Sequence, residues 1–373
     1  MIEKMKKNGI ILISMLFLAS CSGNGSKVKS GNENSFCYWK TTFTFSPSER
    51  EMWEQTEANH LYIRYFDVDW NGNEQMGMPV ATIYGADTLP CVHFTPCIFM
   101  SNRVFEKSNR SDLDSLSVRI KKRIFEVNES FARTLYYKQE REYNEDSLNV
   151  VKERFEKRFS DILIDCDWTE KTSANFFYFL ERLKKDFPEK EIASTLRLWQ
   201  YKQRAKAGVP PVKRCLLMCY NMQTANDYKV ENSIASLSEL KKYVSGEKYP
   251  LKLDLALPVF NWAVLFRNER FVGLLGEIVK SDFENNVLEY ESLGENRYKL
   301  ITDKVIGNFF ARKGDEIRLE MIEKDELESM IKYLKSEINF DAGSRITLFA
   351  WNEFYIKNYK TNEIKNIYTC FSD

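Results

Sequence analysis

Asp161-Ile162-Leu163-Ile164-Asp165-Cys166-Asp167-Trp168-Thr169 is an apolar run that ends in two acids and an indole. A strand alternates its side chains between two faces, which groups Asp165, Asp167 and Thr169 on one side and Ile164, Cys166 and Trp168 on the other. Two carboxylates on one face of a buried strand are costly unless partners or function hold them there. The stretch is therefore a candidate site, and equally a place where an arginine or backbone donors would hold an acid pair.

On either side of this run, strand-like and helix-like segments alternate. Apolar strand patterns fall near residues 38, 62, 94, 163, 196, 216, 254 and 347. Helical patterns cover about 47–58, 111–138, 145–159, 172–186, 236–244 and 325–338. The helix at 111–138 carries Leu113, Leu116, Ile120 and Ile124 on one face. Strands that read as nearly continuous apolar runs between helices are the pattern of a parallel sheet covered on its outer face. Eight of them predict a (β/α)₈ TIM barrel in the α/β class, rather than an open doubly wound sheet.

The rhythm breaks between 261 and 320, where short β-like runs with polar turns predict a small α+β insertion before the last helix and strand. The expected organisation is 36–260 for the first seven strands, 261–320 for the inserted subdomain, and 321–373 for the last helix, last strand and C-terminal tail.

The N-terminus reads differently. Lys4, Lys6 and Lys7 precede an apolar run from Gly9 to Leu18 and then Leu18-Ala19-Ser20-Cys21. The run is too short to span a bilayer and has the form of a secretory signal. Leu-Ala-Ser-Cys resembles the bacterial lipoprotein lipobox, which implies removal of residues 1–20 and lipidation of Cys21. Residues 21–35 are a polar tether without apolar periodicity. The expected location is the cell envelope, across the inner membrane and attached by the lipid on Cys21.

The 373-residue chain holds 54 basic and 54 acidic residues, a balance that offers nucleic acid no electrostatic footing. With two histidines, His60 and His93, and no C-x-x-C, no structural metal site is expected. No glycine-rich phosphate loop or nucleophile elbow is present, so neither a nucleotide cofactor nor any other cofactor is called for. The cysteines after Cys21 sit in apolar runs as small buried hydrophobes. Cys215 and Cys219 lie four apart on one strand, too far to bond to each other.

At the C-terminal ends of barrel strands, where such folds build sites, the chain places Asp67 and Asp69, Asp165 and Asp167, Gln200, Tyr220 and Asn221, Asp254, and Trp351 with Asn352 and Glu353. Acids, amides and aromatic rings suit a carbohydrate, since rings stack on sugar faces and carboxylates and amides engage hydroxyls. Trp70, Trp168, Trp199 and Trp262 also fit as filling between barrel and helices, and Asp254 as a buried residue paired with Arg64 or Arg197.

Asp165-Cys166-Asp167-Trp168-Thr169 is similar to the D-x-D-x-E strand of chitinase-type glycoside hydrolases (family 18). Leu217-Met218-Cys219-Tyr220-Asn221 resembles that family's M-x-Y-D strand, and Ile346 to Trp351 its tryptophan-bearing last strand. The whole chain also resembles a lipoprotein group of uncharacterised barrel proteins. The family resemblance implies a (β/α)₈ barrel with an inserted α+β subdomain and a sugar site holding Asp165, Asp167, Tyr220, Asn221 and Trp351. Its proton donor falls on Thr169, whose hydroxyl supplies no proton near neutral pH, and its M-x-Y-D aspartate is Asn221. Loss of a general acid removes about 10²- to 10⁴-fold of rate.

The leading expectation is therefore a lipid-anchored, glycosidase-like barrel that binds a glycan at its mouth without chitinase-type hydrolysis. A second is an active glycosidase with Asp167 or Glu170 recruited as acid and Asp67, Asp69, Asp254 or Glu353 as its partner. A third is a structural or assembly lipoprotein of the envelope.

Overall fold

The computed structural model describes residues 33–139, 143–341, 343–359 and 361–370. The signal segment, Cys21 and most of the tether lie outside the described residues. No described helix is long and apolar enough to cross a membrane.

Eight parallel strands close into a barrel: Glu33–Tyr38, His60–Asn71, His93–Met100, Asp161–Asp165, Glu191–Arg197, Arg214–Met218, Lys252–Pro258 and Arg345–Phe349. Each pairs in parallel with its sequence neighbour among the eight, and the first pairs with both the second and the last, which closes the ring. Every expected strand is present, with helices on the outside in each connection except that from the second strand to the third. Met76–Val80 adds an antiparallel strand to the long second one.

Local chemistry starts the helices where the sequence placed them. Ser46 and Glu49 form a reciprocal capping box, Glu49 N donating to Ser46 Oγ at 3.1 Å and Ser46 N to Glu49 Oε2 at 2.9 Å, ahead of Pro47–Thr56. The helix Arg110–Gln139 buries Leu113, Leu116, Ile120, Ile124, Val127 and Phe131 against the barrel, the face its periodicity marks. The thiols of Cys37, Cys91, Cys97, Cys166, Cys215 and Cys219 are buried and unbridged.

The insertion is a five-stranded antiparallel sheet in the order Arg270–Leu275, Trp262–Arg267, Glu316–Glu320, Arg297–Leu300, Tyr290–Gly294. It has its own core of Leu265, Phe283, Tyr290, Tyr298, Leu300, Ile317 and Leu319, with Phe283 stacked on Tyr298 at 4.1 Å.

The floor of the barrel, at the N-terminal ends of its strands, is polar. Arg345 reaches across it to Asp161 and to Glu33 (Nε to Oε2, 2.5 Å), and also donates to Thr95 Oγ1 at 3.2 Å. His60 is fully buried between Ser35 Oγ (Nδ1, 2.8 Å) and Thr95 Oγ1 (Nε2, 2.9 Å). Asp254, expected at the mouth, belongs to this floor. It is 1% exposed and accepts from Tyr62 OH at 2.9 Å, Arg214 Nη1 at 2.6 Å and Arg345 N at 2.8 Å. Its strand begins at Lys252, so Asp254 stands near the start of the strand, at the end away from the mouth. Arg64 and Arg197, the expected partners, pair with other acids.

Burial, with Arg345 and His93 nearby, holds His60 well below the ordinary histidine value and keeps it neutral in the folded state. An unfolded histidine protonates near 6.5, so this contribution to stability is complete above about pH 6.5 and is lost as pH falls below it. The midpoint of thermal unfolding is expected to drop less between pH 7.5 and 5.5 in His60→Gln than in the wild type. Parallel slopes for the two proteins would remove His60 as the cause.

Candidate functional site

The fourth strand ends at Asp165, so the alternation that grouped Asp165 with Asp167 and Thr169 stops there. Asp165 closes the strand facing the barrel interior, 7% exposed, with Thr195 Oγ1 of the neighbouring strand donating to its Oδ1 at 2.8 Å. Burial pushes its carboxyl up to about 6, with the charge of Asp167 adding to the rise and the Thr195 hydrogen bond opposing it. It forms no ion pair with an arginine or lysine among the described residues.

Asp167, two residues beyond the strand, is half-buried and held by both arms of Arg197, Nε to Oδ1 at 2.5 Å and Nη2 to Oδ2 at 2.8 Å. Such a fork fixes the carboxylate in place and leaves its outer lone pairs directed to solvent. Asp67 is held in the same way by Arg64, Nε to Oδ1 at 2.7 Å with a second bond from Nη2. Asp69 accepts from Ser101 Oγ at 2.5 Å and Trp70 N at 2.8 Å, and the Ser101 bond holds its carboxyl below the usual range.

Thr169 lies in the turn that starts the helix Ser173–Asp186. Its N–H donates to Thr172 Oγ1 at 2.9 Å, and Thr172 Oγ1 in turn donates to Asn102 Oδ1 at 2.6 Å. The residue in the proton-donor position of the resemblance is thus part of the hydrogen-bonded turn that leads into this helix. Glu170, beside it, is exposed.

Tyr220 stacks on Phe349 at 4.8 Å and meets Phe260 edge-on at 5.9 Å, while Trp39 packs on Phe349 at 5.5 Å. These rings, with the two arginine–aspartate pairs, cover the barrel interior at its C-terminal end. An open cleft of about 220 Å³ remains beside them, lined by Asp167, Arg197, Leu198, Trp199, Tyr220, Asn221, Met222 and Tyr243. Asn221 is exposed there in a left-handed conformation, φ 53°.

Trp351 does not line this cleft. It is 1% exposed, stacked on Phe45 at 5.2 Å and edge-on to Trp53 at 5.4 Å, with its Nε1 donating to Glu49 Oε1 at 3.2 Å. The last strand stops at Phe349, which takes the inward place, and the chain then turns Trp351 out against the helix Pro47–Thr56. Gln200 is likewise buried, in a helical turn that follows the fifth strand, with its Nε2 donating to Trp168 O at 3.0 Å. Asn352 caps a short helix and Glu353 pairs with Lys357 at 2.6 Å. Trp168 is core, packed on Phe176.

Asp165, Asp167, Tyr220 and Asn221 thus come together, Asp67 stands at the same end with Arg64, and Asp254 and Trp351 are elsewhere. Sequence reasoning set Arg197 beside Asp254 and weighed Trp199 as filling between barrel and helices, and it did not name Tyr243. The place of Arg197 was open to detection: it closes the strand next to Asp165, and opposite charges at adjacent strand ends pair. Among the described residues no group of three or more His, Cys, Asp or Glu side chains is arranged to hold a metal ion.

No family model and no curated protein matches the sequence. Solved structures similar to this one include the Bacillus cereus spore cortex-lytic enzyme SleL, at 10% identity and TM-score 0.45 over 91% of this chain and 75% of that one. A fungal endo-β-N-acetylglucosaminidase from glycosyl hydrolase family 18 matches at 9% identity and TM-score 0.44 over 90% and 98% of the two chains. The xylanase and α-amylase inhibitor protein of Scadoxus multiflorus matches at 8% identity and TM-score 0.40 over 92% and 98%. By its own strand pairing the chain is an eight-stranded parallel (β/α)₈ barrel, and the solved structures it is similar to include two enzymes and an inhibitor protein.

Proposed function

We propose that this protein binds a glycan in the cleft beside Tyr220 and does not carry out chitinase-type hydrolysis. The observation that carries the reading is the cleft itself, where the Asp167–Arg197 fork stands among the rings of Trp199, Tyr220 and Tyr243. Rings supply stacking faces for pyranose sugars, and the outer lone pairs of Asp167 with the amide of Asn221 supply partners for hydroxyls. At about 220 Å³ the cleft is smaller than the roughly 300–1,000 Å³ typical of sites that enclose a drug-sized molecule, which fits one or two sugar rings of a longer chain.

Chitinase-type hydrolysis needs a proton donor and a carboxylate that orients the substrate's acetamide as internal nucleophile, and the two-carboxylate route needs a donor and a second carboxylate across the bond. Thr169 is tied into the turn before a helix, while Asp67 and Asp167 are each neutralised by an arginine. Asp165, whose carboxyl burial pushes up to about 6, is not among the residues that line the cleft. On this reading the polar segment after Cys21 tethers the barrel to a lipid in the bacterial cell envelope, and the bound glycan belongs to the same compartment.

Titration calorimetry of residues 33–373 with chitotetraose, xylotetraose and cellotetraose tests the cleft. At least one is expected to bind, and Arg197→Ala and Tyr220→Ala are each expected to weaken it about tenfold or more, in line with the loss of one buried hydrogen-bonded or stacking partner. No release of reducing ends is expected over the same period. Binding unchanged in both variants would remove the cleft from consideration, and cleavage would restore the enzyme reading.

A further inference from the structure

The inserted sheet carries a fully buried ion pair whose hydrogen bonds, apart from the pair's own and one from Trp262 of the same sheet, go to the loop that forms one wall of the cleft. Arg318 and Glu320, on the strand Glu316–Glu320, are 0% and 1% exposed, with Arg318 Nε donating to Glu320 Oε1 at 2.7 Å. The other arms of Arg318 donate to the carbonyls of Ala225 at 2.8 Å and Asp227 at 2.7 Å. Glu320 Oε2 accepts from Ser233 N and Trp262 Nε1, both at 2.8 Å, and from Ser233 Oγ.

The loop from Tyr220 to Ser236 has no regular structure of its own, so these contacts hold it. They reach the cleft in one further step. Ser233 O accepts from Gln223 N at 3.2 Å and Ile234 O from Met222 N at 3.3 Å, while Met222 O accepts from Tyr243 OH at 3.2 Å. Met222 and Tyr243 both line the cleft. An apolar pair of the same volume would leave the Ala225 and Asp227 carbonyls and the Ser233 N–H without these partners, so what the charges supply is the directed bonding of the loop.

We propose that Arg318 and Glu320 are positioning residues for the glycan cleft: the inserted sheet sets the place of Met222 and Tyr243 through Ala225, Asp227 and Ser233. The proposal rests on the glycan-binding reading of the cleft.

The test compares the wild type with Arg318→Met/Glu320→Leu, which removes both charges and keeps the bulk. Ser233→Ala serves as a milder variant that deletes only one donor. Amide exchange across 222–234 is expected to quicken tenfold or more in the double variant, while that of the barrel strands stays as in the wild type. Affinity for whichever tetraose binds the wild type is expected to fall at least tenfold in the double variant and two- to fivefold in Ser233→Ala. A pair with a merely structural role would move the unfolding midpoint and leave affinity within twofold, and that result overturns the proposal, as does unchanged exchange across 222–234. Should the double variant fail to fold, unchanged affinity in Ser233→Ala overturns it and a two- to fivefold loss supports it. A wild type that binds none of the three tetraoses ends the reading of the cleft itself, and is distinguishable because it appears in the first titration, before any variant is compared.

Discussion

Arg345→Met is expected to lower the free energy of unfolding by about 3–5 kcal/mol, the usual consequence of removing one partner from a buried ion pair. Arg345 is the cation on which the barrel floor converges. Its guanidinium serves Asp161, Glu33 and Thr95, and its backbone N–H serves Asp254. Methionine fills much of the same volume, so the loss comes from Asp161, which is 7% exposed and would keep only hydroxyl donors, Thr95 Oγ1 at 2.9 Å and Ser160 Oγ at 3.4 Å. Equilibrium unfolding in guanidinium chloride measures the effect. The double variant Arg345→Met/Asp161→Leu is expected to recover most of the loss, because it no longer strands a charge. If the single and double variants lose the same stability, packing rather than charge holds the floor together.

The second large effect runs the other way. Asp165→Asn is expected to raise stability at pH 7.5 by up to about 3 kcal/mol, the equivalent of moving its carboxyl from the ordinary 3.8 to about 6. The sign follows from proton binding. The folded protein holds the Asp165 proton more tightly than the unfolded chain, so ionising it costs stability. That cost is complete above about pH 6, shrinks as pH falls toward 3.8 and is absent below it. The gain in Asp165→Asn is therefore expected at pH 7.5 and expected to vanish near pH 3.5, and the amide oxygen can still accept from Thr195 Oγ1. Unfolding midpoints equal to those of the wild type at pH 7.5 would mean that the carboxylate is solvated well enough to ionise freely. This pH dependence is opposite in sign to that of His60, and the two single variants separate them. A buried acid kept without a cationic partner where a neutral amide would be more stable is the kind of feature that function, not folding, retains.

How much of this was legible in the sequence depends on whether a residue lies inside a regular element. Within strands, alternation and apolar runs sufficed: Ile162, Leu163 and Ile164 read as buried strand and are, and Asp165 faces inward as its period requires. Leu113, Leu116, Ile120 and Ile124 share the buried face of their helix for the same reason. One or two residues past a strand end the period no longer applies. Thr169 was grouped with Asp167 by extending the strand through four residues that lead instead into the turn before a helix. Trp351 was placed inward by extending the last strand two residues beyond Phe349.

What the sequence determined by itself was the barrel, since eight strands at helical spacing have few other ways to bury two apolar faces, and the insertion, since a break in that rhythm must lie outside the ring. Only the tertiary structure decided which charges meet. Arg197 found Asp167 and Asp254 went to Arg214 on the floor, because pairing depends on register between neighbouring strands and on which end of a strand a residue occupies, while Arg64 reaches Asp67 within its own strand, across the irregularity between Arg64 and Phe66. Side-chain period gives a face; it gives no height along the barrel axis. That height separates a carboxylate at the mouth from one that closes the floor.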